Sequence, residues 1–293
     1  MPYRFRRATE RDRAAVFAFC QMTWEGGDYI PRVWDRWLAD LHGALVVGVG
    51  ADDYPVALGK LSVPAPGEGF IEGVRVAPAV RGQGWGRAMF AHLRERAYAQ
   101  GLRVVRFLTE ATNTPVHRIA GALGFAHVAS YLPVRTASEA TAAHARGVSP
   151  GEALQLWPLV EATAGATPPV RWHSWEAATA TPEWLATAAA ARHVLASPDA
   201  QGLVVVLPPE RDSDPEAVLL AEAAPTGVAA IALLAGTPAS YPPLLAAARA
   251  RAARQRAAGV FGLLPPAAGA AAQAAGWTAY TQWPMWLYAH RQE

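Results

Sequence analysis

A glycine-rich loop between a strand pattern and an amphipathic helix pattern constrains this chain more than any other feature. The strand ends at Val76, the loop reads Arg-Gly-Gln-Gly-Trp-Gly-Arg over residues 81–87, and Met89 begins the apolar face of the helix. Alternate glycines let several backbone N–H groups point into one concavity at the helix N-terminus, where the helix dipole also favours negative charge. A dinucleotide-binding GxGxxG motif would need glycine in place of Arg87, and no Gly-Lys-Ser/Thr follows. The loop therefore predicts a pyrophosphate cradle.

The order of strand and helix patterns predicts two domains of the α/β class. Over residues 1–135 the patterns run β-α-α-β-β-β-α-β-α-β, which predicts a mixed α+β sheet. Residues 136–168 are rich in Ala, Ser and Thr and carry turn-forming Gly and Pro, which is typical of a linker. Residues 169–293 repeat the plan in outline, with a strand at Ala217–Ala221, and this favours a diverged internal duplication over an unrelated Ala-rich domain.

Composition excludes several classes of protein. The 26 basic and 24 acidic residues leave a formal charge of +2, far from the one-sided field of a nucleic-acid-binding protein. A single cysteine, Cys20, cannot form an internal disulfide or a zinc site, and its apolar neighbours favour a buried thiol. No apolar run approaches the roughly 20 residues that cross a bilayer, and the N-terminus shows no signal segment. We therefore expect a cytoplasmic protein without membrane, nucleic-acid or metal partners.

In this context the sequence resembles the GCN5-related N-acetyltransferase (GNAT) family. The acetyl-CoA signature of that family, Arg/Gln-x-x-Gly-x-Gly/Ala, reads here as Arg81, Gly84 and Gly86, and the resemblance covers residues 3 to about 135. It implies a GNAT fold in the first half, a degenerate GNAT-like domain in the second, and an acyl-CoA-dependent N-acetyltransferase.

The resemblance also implies which residues bind acetyl-CoA. Backbone amides of residues 83–87 would hold the pyrophosphate, the strand end would pair with the pantetheine arm, and the N–H of Val76 would stabilise the developing oxyanion. The implied set lies on the strand end, in the loop and before the last helix: Val74, Arg75, Val76, Arg81, Gly82, Gln83, Gly84, Trp85, Gly86, Arg87 and Asn113.

Glu72 is the predicted base. It lies on the strand that leads to Val76, and simple alternation places it on the face of Val74 and Val76 and turns Arg75 away. A carboxylate within an apolar strand is costly unless it meets water or a cation, which favours a site role over a packed salt bridge. Glu72 could accept the proton of the attacking amine directly or through water.

One position departs from the family pattern. Many relatives carry a tyrosine seven residues after the asparagine as general acid, and here that position is Ala120. His117 and Tyr131 are alternative acids, although an alkyl thiol with a pKa of about 8.5 also leaves as an anion near neutral pH. The missing tyrosine motivates an alternative, a CoA-binding regulatory module with weak or no transfer activity.

One further segment narrows the choice of acceptor. Residues 70–78, Phe-Ile-Glu-Gly-Val-Arg-Val-Ala-Pro, are similar to aminoglycoside 6'-N-acetyltransferases and closer still to the vertebrate histidine N-acetyltransferase group. In that fold the loop between the first two helices overlies the acceptor pocket, so the resemblance implies Glu25, Asp28 and Tyr29 as candidate acceptor contacts. A turn or N-cap role for Asp28 suits the sequence equally well. We predict a primary amine of a small molecule, an amino acid or related amine, which attacks directly in a ternary complex. Arg75 is a candidate clamp for an acceptor carboxylate.

Other acceptors and assembly states remain open at this point. Aminoglycosides or polyamines would suit the acids Glu25, Asp28 and Glu72, and protein amines would need an open peptide groove. Both a monomer and a homodimer are compatible with the sequence.

Overall fold

The computed structural model of the protein describes residues 3–21, 27–141, 144–173, 175–209 and 227–292. Glu25 and the predicted strand Ala217–Ala221 lie outside the described residues. The chain divides into two units, one made of Met1–His127 together with Leu287–Glu293, the other of Val128–Trp286. Within the described residues, no helix is both long and apolar enough to cross a bilayer.

The first unit begins with a strand, two helices and a three-stranded meander, and its glycine loop leads into a helix of 15 residues. Its elements are β1 (Arg4–Arg7), α1 (Arg13–Cys20), α2 (Ile30–Ala39), β2 (Ala44–Val49), β3 (Pro55–Ala65), β4 (Glu68–Val76), α3 (Trp85–Ala99), β5 (Val104–Glu110) and α4 (Thr114–Ala122).

Hydrogen bonding orders the sheet of the first unit as β1, β2, β3, β4 and β5, and the strand Met285–Arg291 pairs with β5. From Leu287 onward this last strand belongs to the first unit, although the whole second unit separates it from β5 in sequence. Every residue of β2 is buried, as expected of an apolar central strand. Leu45 and Val47 of β2 pack with Val16 and Trp34 of the two N-terminal helices.

Strands β4 and β5 pair only at their beginnings. The parallel pairing runs from Glu68 opposite Val104 to Phe70 opposite Arg106, whereas β4 continues to Val76. Over the same length β4 stays paired with β3, where Val76 lies opposite Ala57. The second half of β4 therefore presents an edge to a slot between β4 and β5, directly before the glycine loop.

The second unit is a mixed sheet with its own helices. Its elements are β6 (Ala126–Ala137), which enters this unit at Val128, β7 (Arg146–Gly147), α5 (Pro150–Gln155), α6 (Trp157–Ala164), β8 (Val170–His173), β9 (Glu176–Thr179), α7 (Pro182–Ala190), β10 (Val194–Ala196), β11 (Gly202–Leu207), β12 (Val228–Gly236), α8 (Tyr241–Arg254), β13 (Gly259–Leu264), α9 (Gly269–Ala274) and β14 (Thr278–Ala279). The last strand, β15 (Met285–Arg291), starts in this unit and continues in the first from Leu287 onward.

The β12-α8-β13 segment has the same arrangement as β4-α3-β5. Strands β12 and β13 are parallel and pair only from Val228 to Ile231, while β12 runs on to Gly236. Two hydrogen bonds at Gly236 hold the loop before α8. The Tyr241 hydroxyl donates to the carbonyl of Gly236 at 2.9 Å, and the Gly236 amide donates to Thr163 Oγ1. The internal duplication stays a prediction. The hydrogen bonds at Gly236 show how this loop closes without a glycine cradle.

Residues 136–168, which the composition predicts to be a linker, contain two helices. Helices α5 and α6 lie within that range, and α5 begins with a capping box in which Ser149 and Glu152 bond each other's backbone amides. Pro150 at the first helical position adds to this start signal. Composition alone had suggested a linker because Ala-rich helices and Ala-rich linkers share the same residues.

Candidate active site

The glycine loop forms a concave turn at the start of α3. Gly82 and Gly84 have φ angles of +76° and +86°, a region that side chains rarely adopt. The first hydrogen bond inside α3 runs from the Ala88 amide to the carbonyl of Gly84 at 3.0 Å. The amides of residues 85–87 precede that bond, as at any helix start, and face outward where an anion binds well. A Cβ at Gly82 would meet open space, so the loop has room for a phosphate group.

Three side chains fix the conformation of this loop. The Tyr3 hydroxyl donates to the carbonyl of Gln83 at 2.7 Å, and its ring lies edge-on to Trp85 at 5.0 Å. Because a trans peptide points its C=O and N–H in opposite directions, this bond turns the Gly84 amide away from Tyr3. The Arg81 guanidinium donates through Nε to the carbonyl of Val76 at 3.1 Å. The side chains of Arg81 and Trp85 thus support the loop, which leaves the cradle to backbone amides.

The end of β4 offers a backbone N–H to the slot between β4 and β5. The Ala77 amide donates to the carbonyl of Val56 on β3 at 2.9 Å. Since successive amides of a strand point to opposite edges, the N–H of Val76 points away from β3 and toward the slot. The sequence assigned this amide to the thioester carbonyl, and its direction is compatible with that role.

A β-bulge at Gly73 changes which residues share a face with Glu72. Lys60 pairs with Glu72 and Leu58 with Arg75, so two steps along β3 match three along β4. Residues that pair across antiparallel strands project to the same face, and Glu72 and Arg75 therefore lie together. Gly73 has φ of +60°, as a bulge of this kind requires.

This bulge corrects the expectation from alternation. Val76 pairs with Ala57 and projects to the opposite face, where a Cβ at Gly86 would lie 3.9 Å from its side chain. Glu72 does not share a face with Val76, and Arg75 does not face away from Glu72. Simple alternation failed because a bulge adds one residue to the period of two.

We expect Gly73→Ala to destabilise the protein and to lower its activity. A left-handed conformation costs alanine about 1–2 kcal/mol, and the new Cβ would lie 2.5 Å from the Trp37 ring. Gly67→Ala is the matched control, because Gly67 has φ of +76° with nothing within 4 Å of a Cβ. Thermal unfolding should show a clearly larger loss of stability for Gly73→Ala. Equal losses would mean that the Trp37 contact yields without cost.

The Glu72 carboxylate lies in a polar chain on this face. The Ser62 hydroxyl donates to Glu72 Oε1, and Lys60 Nζ lies 3.1 Å from Ser62 Oγ. Lys60 also forms an ion pair with Asp40 at 2.5 Å. Sequence reasoning missed Lys60, Ser62 and Asp40. The alternation of Lys60 and Ser62 in an apolar strand was a usable signal, but only the register with β4 shows what they contact.

On the acceptor side, Asp28 and Arg75 form a bidentate pair. Arg75 donates through Nε to Asp28 Oδ2 at 2.6 Å and through Nη2 to Oδ1 at 3.2 Å. The Asp28 side chain is fully buried and that of Arg75 is 13% exposed. Asp28 Oδ1 also accepts from the Ile30 amide, and the Tyr29 ring lies 5.3 Å from the guanidinium. The predicted residues Asp28, Tyr29 and Arg75 thus lie together.

The α4 region holds the remaining predicted residues of the first unit. Asn113 caps α4 by accepting from the Val116 amide, and it donates through Nδ2 to Thr109 Oγ1 at 2.9 Å. Ala120 is fully buried. Tyr131, one of the alternative acids, lies in the second unit, where its ring packs edge-on against Trp172.

His117, the other alternative acid, is tied to the C-terminal strand. Its Nε2 lies 3.0 Å from the carbonyl of Ala111 and its Nδ1 lies 3.0 Å from the hydroxyl of Tyr288. A carbonyl can only accept, so Nε2 carries a proton, and in the neutral imidazole Nδ1 accepts from the Tyr288 hydroxyl. His117 therefore joins α4 to the last strand. Nothing near Tyr288 in sequence indicates this distant contact.

The Cys20 thiol is buried and unreactive. Burial raises the pKa of the Cys20 thiol to about 12, which keeps it protonated and removes it as a nucleophile. Within the described residues, no cluster of three or more His, Cys, Asp or Glu side chains is placed to hold a metal ion.

Comparison with known proteins identifies the first unit. Residues 13–125 match the sequence model of the acetyltransferase (GNAT) family. No curated protein is significantly similar to this sequence. Two solved structures have the same fold with TM-scores of 0.60, and each aligns over 99% of this chain.

One of these structures is a Thermoplasma acidophilum protein that was assigned as an acetyltransferase, 15% identical and covered over its full length. The other is a GCN5-related N-acetyltransferase from Sphaerobacter thermophilus, 16% identical and covered over 95% of its length. At these identities the likeness concerns the fold, which extends over both units. The family match confirms the resemblance that the motif predicted: residues 13–125 are an acetyltransferase domain of the GNAT family.

Proposed function

We propose that this protein transfers an acetyl group from acetyl-CoA to the primary amine of a small molecule, an amino acid or related amine, in a ternary complex. The main observation in favour is the position of Glu72 on β4, the strand whose end supplies the Val76 amide and leads into the glycine loop. In this proposal one short strand carries both the carboxylate base and the amide that stabilises the oxyanion.

The residues present fit acetyl-CoA, the co-substrate of the family. Gly82 and Gly84 shape a turn with room for phosphate oxygens, and the amides at the start of α3 would hold the pyrophosphate. The open edge of β4 would receive the pantetheine arm. When bound, acetyl-CoA supplies the thioester whose carbonyl carbon the amine attacks.

The protein's own groups would then act on protons and charge. Glu72 accepts the proton of the incoming ammonium, which raises the fraction of free amine at the site. The Val76 N–H donates to the thioester oxygen as negative charge develops there. A general acid is dispensable because the thiol, with a pKa of about 8.5, leaves as an anion.

The charges on this face bear on the acceptor. An α-amine has a pKa of about 7.7–8.0 and needs less help from a base than a lysine amine at about 10.4. Arg75 already binds one carboxylate, that of Asp28, in two-point geometry, and an amino acid would place its own carboxylate near the same cation. The burial of Asp28 favours a small acceptor over a peptide.

The test is to incubate the purified protein with acetyl-CoA and a whole-cell metabolite extract, then with amino acids, polyamines and aminoglycosides separately. Release of CoA together with one discrete acetylated amine, seen by mass spectrometry, would establish the enzyme and its acceptor class. Binding of acetyl-CoA without acetylation of any metabolite or extract protein would replace this proposal with the CoA-binding module that Ala120 motivates.

A further inference from the structure

We propose that Lys60 and Ser62 are positioning residues for Glu72: together they orient its carboxylate and hold it in the ionised state that accepts a proton. The inference rests on the proposed role of Glu72 as the base. It concerns residues on the neighbouring strand β3, which the family motif does not include.

The ammonium of Lys60 is fully engaged. Its Nζ lies 2.5 Å from Asp40 Oδ2, 2.7 Å from the carbonyl of Leu61 and 3.1 Å from Ser62 Oγ. Lys60 is 1% exposed and Ser62 is 5% exposed. These three acceptors match the three protons of an ammonium group.

Donor and acceptor chemistry fixes the direction of the hydrogen bonds that run from Lys60 through Ser62 to Glu72. A lysine ammonium has no lone pair, so Ser62 Oγ must accept from Lys60. The single proton of the Ser62 hydroxyl then goes to Glu72 Oε1. Glu72 thus receives a hydrogen bond from a hydroxyl that a full positive charge polarises, and such a bond favours the carboxylate over the carboxylic acid.

Asp40 anchors the far end of this chain. Its Oδ1 accepts from the amides of His42 and Gly43 at 2.9 and 3.0 Å. Burial alone would raise the pKa of Asp40, but the bonds from Lys60 and these amides hold it below its ordinary value. Asp40 therefore stays ionised over the pH range in which a base must work, and the two backbone amides fix the position of its carboxylate.

Other charged and titratable groups among the described residues also lie on this face. Arg75 is paired with Asp28, and burial, together with the nearby charge of Glu72, raises the pKa of Tyr29 so that its hydroxyl stays neutral. A hydrophobic residue at position 60 would avoid the cost of burying an ammonium. The effect of the buried ammonium on Ser62 and Glu72 is the functional role that we propose for a lysine at this position.

The experiment compares Ser62→Ala and Lys60→Met with the unaltered chain. In ¹³C-glutamate-labelled protein, the carboxyl resonance that disappears in Glu72→Gln reports the titration of Glu72. We expect its midpoint to move to higher pH by about one unit in Lys60→Met, by less in Ser62→Ala, and to return toward the original value in Lys60→Arg. Arg13→Met is the control, because it removes a cation that pairs with Glu10 and Asp35 instead.

Kinetics supply a second readout. The acidic limb of kcat/KM should move to higher pH by the same amount as the titration, while the KM for acetyl-CoA stays unchanged. Above that limb, where Glu72 is ionised in every variant, kcat should fall only as far as the carboxylate loses its orientation. Adding Ser62→Ala to Glu72→Gln should cause no further loss of kcat, because Lys60 and Ser62 act only through the Glu72 carboxylate.

The outcomes separate this inference from the proposed function. An unmoved Glu72 titration in folded Ser62→Ala and Lys60→Met would overturn it, and so would a further loss of kcat in the double variant. If the unaltered protein transfers no acetyl group, the proposed function fails and the titration still decides the inference. If Lys60→Met does not fold, Ser62→Ala, which removes one oxygen atom, carries the test.

Discussion

Replacing Glu72 by glutamine is expected to lower kcat by about 10²–10³-fold near neutral pH, within the range that general-base catalysis contributes. Glutamine has the same shape and can still receive the Ser62 hydrogen bond through its carbonyl oxygen, but it cannot accept the amine proton. Because the proposed cradle for CoA lies beyond Val76 and would consist of backbone amides, the KM for acetyl-CoA should change little.

The measurement is the pH dependence of kcat and kcat/KM once an acceptor is known. The acidic limb should vanish in Glu72→Gln, and activity should recover partly at high pH, where the acceptor amine is already free. Glu95→Gln, the same change at an exposed position of α3, should match the unaltered protein. An unchanged pH profile and kcat would remove Glu72 from the mechanism.

A second large effect is expected at Tyr288. Its ring stacks on Phe107 of β5 with centroids 5.0 Å apart and planes 7° from parallel, and its hydroxyl bonds His117 of α4. Tyr288 is 6% exposed. Truncation to alanine should destabilise the first unit by about 3–4 kcal/mol, as buried aromatic truncations do. Tyr288→Phe keeps the ring and should cost only about 1 kcal/mol for the lost hydrogen bond.

Unfolding in urea, followed through acetyl-CoA binding as a probe of the first unit, separates these two variants. A whole-chain signal is less suitable because two units need not unfold in one step. Small and equal losses in both variants would contradict the assignment of residues 287–292 to the core of the first unit. The same assignment means that a truncation at residue 135 removes part of that unit.

Local signals predicted the framework of the site well. The strand predicted to end at Val76 is the observed β4, Glu68–Val76, and the helix predicted after the glycine loop is α3. Both depend on short-range patterns: an apolar run, a turn of glycines and an apolar helix face. Three roles toward acetyl-CoA stay predictions: those of the loop amides, of Asn113 and of Val76.

Long-range features could not be predicted from the sequence. The faces of Glu72 and Arg75 depend on a bulge whose existence is decided by pairing with β3, and one glycine in a strand indicates a bulge without fixing its register. The contacts of Lys60 with Asp40 and Ser62 depend on the same register. Nothing local indicates that Tyr288 returns to β5, because strand order is set by tertiary packing.

The position of the last strand also bears on how the protein is made. Since Leu287 and its neighbours complete the sheet of the first unit, that unit lacks its outermost strand while the ribosome is still translating the second. At about 5–20 residues per second this delay is on the order of 10 s. The nascent first unit therefore leaves the exit tunnel with β5 uncovered, and an uncovered strand edge recruits chaperones or other chains. A stop codon late in the reading frame would leave this edge permanently open.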